Sequence, residues 1–189
     1  MAKFARESYC VQQLASCLGL TAALEYRDPL EDYRRETGID VIAVGEGYRL
    51  GFQVTEYDGG EGVAAIGGGE MRAREVRQQR AAGKMGVYSG WGSPHFEPAF
   101  AARVLEKVQK SSNYNFGEVD QIWLLISAGL PDAPIATFVP HAYIGTEILN
   151  AASAAALATS RYDGAFFHII MGDVIYEWDR ESQWQKRSK

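Results

Sequence analysis

Asp40 is the residue whose surroundings first call for chemistry. It is an acid in the run Gly38-Ile39-Asp40-Val41-Ile42-Ala43-Val44, which is otherwise apolar. A carboxylate there has to meet solvent, a partner or a cation, because burying it unpaired is costly. The stretch Gly51-Phe52-Gln53-Val54-Thr55-Glu56 reads as the next strand. Strand alternation puts Gln53 and Thr55 on one face and Phe52, Val54 and Glu56 on the other. Two adjacent strands can thus present Asp40, Gln53 and Thr55 together. The competing expectation is that Asp40 simply meets solvent on a sheet face. Glu7, in the first helical segment, is a further acid within reach of the same cleft, or a solvated residue of the first turns.

Positive charge gathers later in the chain. On a helical wheel Arg74, Arg77, Arg80 and Lys84 fall within an arc of about 120°. Such a face suits phosphates, whose recognition needs only charge and reach. Glu70 shares the arc, as it would on an ordinary solvated helix. Gly67-Gly68-Gly69 precedes this helix, but no Gly-Lys-Ser/Thr follows, so a nucleotide-binding loop is not expected. The loop Tyr88-Ser89-Gly90-Trp91-Gly92 offers aromatic rings on which a base can stack. Ser89, Ser93 and Ser127 lack the context of an activated nucleophile.

Cys10 and Cys17 are the two cysteines. On a helix they lie about 10.5 Å apart along the axis, beyond the span of a disulfide. With no His or Cys at ligand spacing nearby, zinc is not expected, and both read as small core thiols. His95, His141 and His168 share no metal spacing. His168, between Phe167 and Ile169, reads as a core or sheet-surface histidine.

The elements that must position these residues follow from periodicity. Phe4, Val11, Leu14, Ala15 and Leu18 form a helical stripe that Gly19 ends. Leu24–Arg27 reads as a short strand. Ile39–Val44 and Tyr48–Glu56 read as a hairpin about the turn Gly45-Glu46-Gly47. A polar helix is expected over 70–82 and another over 97–110. In the second, Phe100, Ala101, Val104, Leu105 and Val108 face one way, while Arg103, Glu106, Lys107 and Lys110 point elsewhere. Gln121–Ile126 has the continuous apolar character of a strand buried on both faces. A helix near Tyr143–Thr159 follows, then a hairpin of Ala165–Met171 and Val174–Trp178 about Gly172-Asp173. Residues 180–189 read as a frayed basic tail. This order predicts a single α/β domain over residues 1–189, with a mixed sheet between helices.

The hairpin acid, the short turn and the residue-x-residue ending of the next strand resemble the PD-(D/E)XK nuclease superfamily. The resemblance covers about Ile39 to Ile126. It implies a restriction-endonuclease-like fold in which the Asp and a second-strand acid hold Mg²⁺ while a Lys two residues on orients water. Carried onto this chain, it makes Asp40 and Gln53 the metal ligands, with Thr55 and Glu7 completing the catalytic set. The departures are specific. Ile39 stands where Pro would, Gln53 replaces the second acid, and Thr55 replaces the Lys. Gln offers a neutral carbonyl where Mg²⁺ favours charge. Thr cannot stand in for an ammonium group, and Glu56 points to the opposite face. Lys84 or Arg77 would have to supply the missing charge. The motif reads as degenerate.

Two functions are therefore expected. One is a nuclease-fold protein with an altered or lost metal site, which if active is a Mg²⁺-dependent phosphodiesterase acting on nucleic acid. The other is a non-enzymatic interaction protein that uses the fold as a scaffold for a protein partner. The chain has 189 residues, is 47% hydrophobic and carries a formal net charge of −5. That composition excludes a disordered chain, and the charge excludes a globally basic nucleic-acid binder. No apolar run is long enough to span a membrane, and no secretory signal is visible at the N-terminus, so a cytoplasmic setting is expected.

Overall fold

Apolar residues at helical spacing form α1 (Lys3–Leu18) in a computed structural model that describes residues 3–26, 37–57, 96–128, 146, 149 and 152–187. The helix ends where the sequence says it should. Gly19 takes φ +64°, its N–H donates to the Ser16 carbonyl at 3.2 Å, and Leu20 N–H donates to Ala15 at 2.9 Å. This left-handed cap satisfies carbonyls that the helix leaves open.

Among the described residues seven strands follow: β1 (Ala23–Tyr26), β2 (Val41–Gly45), β3 (Tyr48–Glu56), β4 (Gln121–Ala128), β5 (Gly164–Ile169), β6 (Val174–Asp179) and β7 (Gln183–Lys186). They form one sheet in chain order. The β3–β4 and β4–β5 pairings are parallel and all the others antiparallel. Helix α2 (Phe96–Ser111) lies between β3 and β4 in the chain, and α3 (Ala152–Ala158) between β4 and β5. Parallel neighbours need such crossovers, whereas β2–β3, β5–β6 and β6–β7 are antiparallel pairs closed by short turns. The protein is α/β, with a mixed seven-stranded sheet flanked by helices.

The two faces bury different helices. Cys10, Val11 and Leu14 of α1 pack with Phe52, Val54, Leu125 and Phe166. On the other face Phe100 and Val104 of α2, with Leu149 and Leu157, meet Ile42, Leu124, Ile126 and Phe167. β4 is thus covered from both sides, the burial its unbroken apolar run predicts.

Three details correct the sequence reading. The β2–β3 turn is Glu46-Gly47, because Gly45 already pairs with Tyr48. Gly47 takes φ +77°, which a two-residue turn demands and glycine tolerates. Leu105 is exposed rather than part of the apolar stripe of α2. The expected frayed tail over 180–189 contains a strand: β7 pairs with β6, and Trp184 is buried. Its indole N–H donates to Ser153 Oγ at 3.0 Å, and its ring meets Phe100 edge-on. The polar helix expected over 70–82, with Arg74, Arg77, Arg80 and Lys84, and the loop from Tyr88 to His95 lie outside the described residues. No described helix is long and apolar enough to cross a membrane.

Candidate functional site

Asp40 stands just before β2, where the regular ladder with β3 stops at Val41 and Phe52. Its backbone N–H still donates to the Phe52 carbonyl at 2.9 Å. The next donor along β3, Val54 N–H, is taken by Asp40 Oδ2 at 2.6 Å. The carboxylate therefore extends the ladder by one bond after the backbone has left it. Asp40 is buried, so the solvent-facing expectation is corrected. A charged acceptor on a backbone N–H is among the stronger hydrogen bonds available there.

Gln53 lies in register with Leu124, on the sheet face that α2 covers. Its Oε1 accepts a hydrogen bond from the Tyr162 hydroxyl. That hydroxyl also lies 3.4 Å from the Lys107 carbonyl of α2. Burial drives the Tyr162 phenol well above its ordinary range, and the neighbouring Tyr114 and Asp40 add to the effect. Burial lowers the Lys107 ammonium, while the charge of Asp40 works in the opposite direction. Lys107 is thus a half-buried cation of α2 that feels the charge of Asp40, not one of the outward-pointing charges expected of α2. The signal was present: Phe100, Val104, Lys107 and Ser111 recur at spacings of four, three and four, the buried stripe of a helix.

Thr55 is buried two residues beyond Gln53, in register with Ile126. Glu7 is also buried, but on α1, which packs on the opposite face. There, burial pushes the Cys10 thiol up to about 12, with Glu56 and Glu7 adding and Ser127 opposing. Arg6 pairs with Glu56 at 3.2 Å on the same side. The structure thus brings together Asp40, Gln53, Tyr162 and Lys107, and carries Glu7 on the other side of the sheet.

These groups do not form a good Mg²⁺ site. One oxygen of the carboxylate is already bonded to Val54, in the field of Lys107, and the Gln53 carbonyl accepts from Tyr162. Mg²⁺ demands near-octahedral oxygen ligands and usually more than one negative charge.

A second polar cluster lies on the α1 face. Cys17, in the last turn of α1, donates to Asp173 Oδ1 at 2.7 Å. His168 Nε2 lies 4.0 Å from Cys17 Sγ and 3.9 Å from the same Asp173 oxygen. Cys17 is exposed and only Cys10 is a core thiol, which corrects the expectation for the pair. Sequence spacing cannot reveal this cluster, because its members stand at 17, 168 and 173. Comparison with protein-family models, with curated proteins and with solved structures finds no match.

Proposed function

We propose that this chain is a restriction-endonuclease-like protein that has lost its metal-dependent phosphodiesterase centre and acts as a non-enzymatic interaction protein. The order of a helix, an antiparallel strand series, a helix and a parallel strand supports the fold reading. One observation carries the functional reading. At the two metal-ligand positions of the motif, Asp40 Oδ2 accepts from Val54 N–H and Gln53 Oε1 accepts from Tyr162 O–H. Groups that would hold a cation in a working nuclease are here internal braces.

The test pairs chemistry with stability. Wild type and Asp40→Asn are incubated with single- and double-stranded DNA and RNA in Mg²⁺ or Mn²⁺, and the cations are titrated calorimetrically. No cation-dependent cleavage and no heat of binding at the Asp40 position are expected in either protein. Cleavage by wild type that disappears in Asp40→Asn would overturn the proposal. As a brace, Asp40 also has a stability signature. Asp40→Ala leaves Val54 N–H without its acceptor and is expected to cost about 1–3 kcal/mol in urea unfolding. Asp40→Asn keeps an oxygen there and is expected to cost less.

A further inference from the structure

The cluster of Cys17, His168 and Asp173 is built by three separate elements. Cys17 is set by the end of α1, two residues before the Gly19 cap. His168 is held on β5 between Ser127 of β4 and Ile175 of β6, and is almost completely buried. Asp173 follows the short helical turn Ile170–Gly172 in a left-handed conformation, φ +50°, with its N–H donating to the Ile170 carbonyl at 3.1 Å. Asp accepts this conformation more readily than most residues. The result points a soft sulfur, an imidazole nitrogen and a carboxylate oxygen at one another from distant parts of the chain.

We propose that Cys17 Sγ, His168 Nε2 and Asp173 Oδ1 form a binding site for a thiophilic divalent cation of the zinc class. The three atom pairs are 2.7, 3.9 and 4.0 Å apart. Ligands of a tetrahedral zinc centre, at bond lengths of about 2.0–2.3 Å, stand about 3.3–3.6 Å from one another. Side-chain shifts below about 1 Å, well within rotamer freedom for the exposed Cys17, convert one arrangement into the other. Thiolate and carboxylate together balance the 2+ charge, and mixed sulfur, nitrogen and oxygen ligands select zinc-like ions over Mg²⁺. Without metal, the Cys17 thiol proton is directed at Asp173. On binding, the sulfur–proton bond is exchanged for a sulfur–metal bond and the proton leaves to solvent. Three protein ligands leave a fourth position open to water or a small molecule.

Co²⁺ tests this directly, because thiolate ligation gives it a charge-transfer band and tetrahedral geometry gives strong visible bands. The full-length protein is titrated with Co²⁺ alone, then with Zn²⁺ in competition. One equivalent of Co²⁺ with a thiolate band, displaced by Zn²⁺, is expected. The band is expected to vanish in Cys17→Ser and to persist in Cys10→Ser, whose thiol is buried on the sheet side of α1. Asp173→Asn, at a partly exposed position, is expected to weaken Zn²⁺ binding by at least the 10–100-fold that changes next to a ligand produce. His168→Gln is judged alongside it, since a buried substitution alone can perturb folding. Absence of a thiolate band, a band that survives Cys17→Ser, or a Zn²⁺ affinity unchanged in Asp173→Asn would overturn the site.

Discussion

Cys10 and Cys17 lie on the same helix and have opposite chemistry because one faces the sheet and the other faces water. Burial raises Cys10 from 9.0 to about 12. An unfolded chain releases that proton near 9, whereas the folded protein holds it until about 12. The unfolded state therefore binds fewer protons in this window, and stability falls as pH rises through it. From pH 8 to pH 10, Cys10 is expected to remove about 1.4 kcal/mol of stability. Urea unfolding of wild type and Cys10→Ala at the two pH values measures it, and an equal loss in both proteins would show that Cys10 is not the source. Lys107 belongs to the same scale. On the half-buried stripe of α2, desolvation lowers Lys107, and the charge of Asp40 opposes this only in part.

At the scale of elements, the edge strand β7 is held by one side chain more than by its length. Four residues pair with β6, but Trp184 reaches past the sheet edge to Ser153 of α3 and packs against Phe100 of α2. It thus joins the last strand to both helices of that face. Trp184→Ala is expected to cost about 3–5 kcal/mol, the range for deleting a large buried aromatic. Thermal unfolding of that variant beside a chain ending at residue 182 gives the comparison. Similar losses would show that Trp184 carries the strand, whereas a neutral Trp184→Ala would return residues 180–189 to the role of a loose tail. The centre of the sheet is fixed differently. Arg49 N–H donates to Asp120 Oδ2 at 2.7 Å and Ile122 N–H to Asp163 Oδ2 at 2.8 Å, so acids just before β4 and just before β5 brace the parallel pairs at their entry.

For the whole molecule, the proposed interaction role is tested by its partner's chemistry, and charge gives the sharpest experiment. A net charge of −5 repels nucleic acid except at a local basic patch. Arg74, Arg77, Arg80 and Lys84 are the candidates for that patch. If they meet phosphates, roughly three to four contacts on duplex DNA give a slope of log affinity against log salt of about −3 to −4. Arg77→Ala with Arg80→Ala is then expected to reduce the slope by about two. Fluorescence anisotropy over a salt series checks it. No binding to any single- or double-stranded nucleic acid at low salt would leave a protein as the partner.

The sequence by itself determined what local pattern can determine. The α1 stripe and its Gly19 stop, the hairpin, the doubly buried β4 and the α/β class all follow from periods of 3.6 and 2 and from turn residues. Alternation also put Gln53 and Thr55 on the face opposite Phe52 and Val54. What those side chains do there was not legible, because Tyr162 stands 109 positions from Gln53 and Lys107 comes from a crossover helix. A motif position that bonds a distant tyrosine looks, in one dimension, like one awaiting a metal. The tail was misread for a related reason: a short polar strand is stabilised by pairing and by a single tryptophan, neither of which leaves a periodic trace. The Cys17, His168 and Asp173 cluster exists only because α1 packs on the sheet face that carries Phe166 and His168, and tertiary structure alone decides such a meeting. Local sequence sets which way each side chain faces along its own element, whereas the partner it meets depends on how the elements pack.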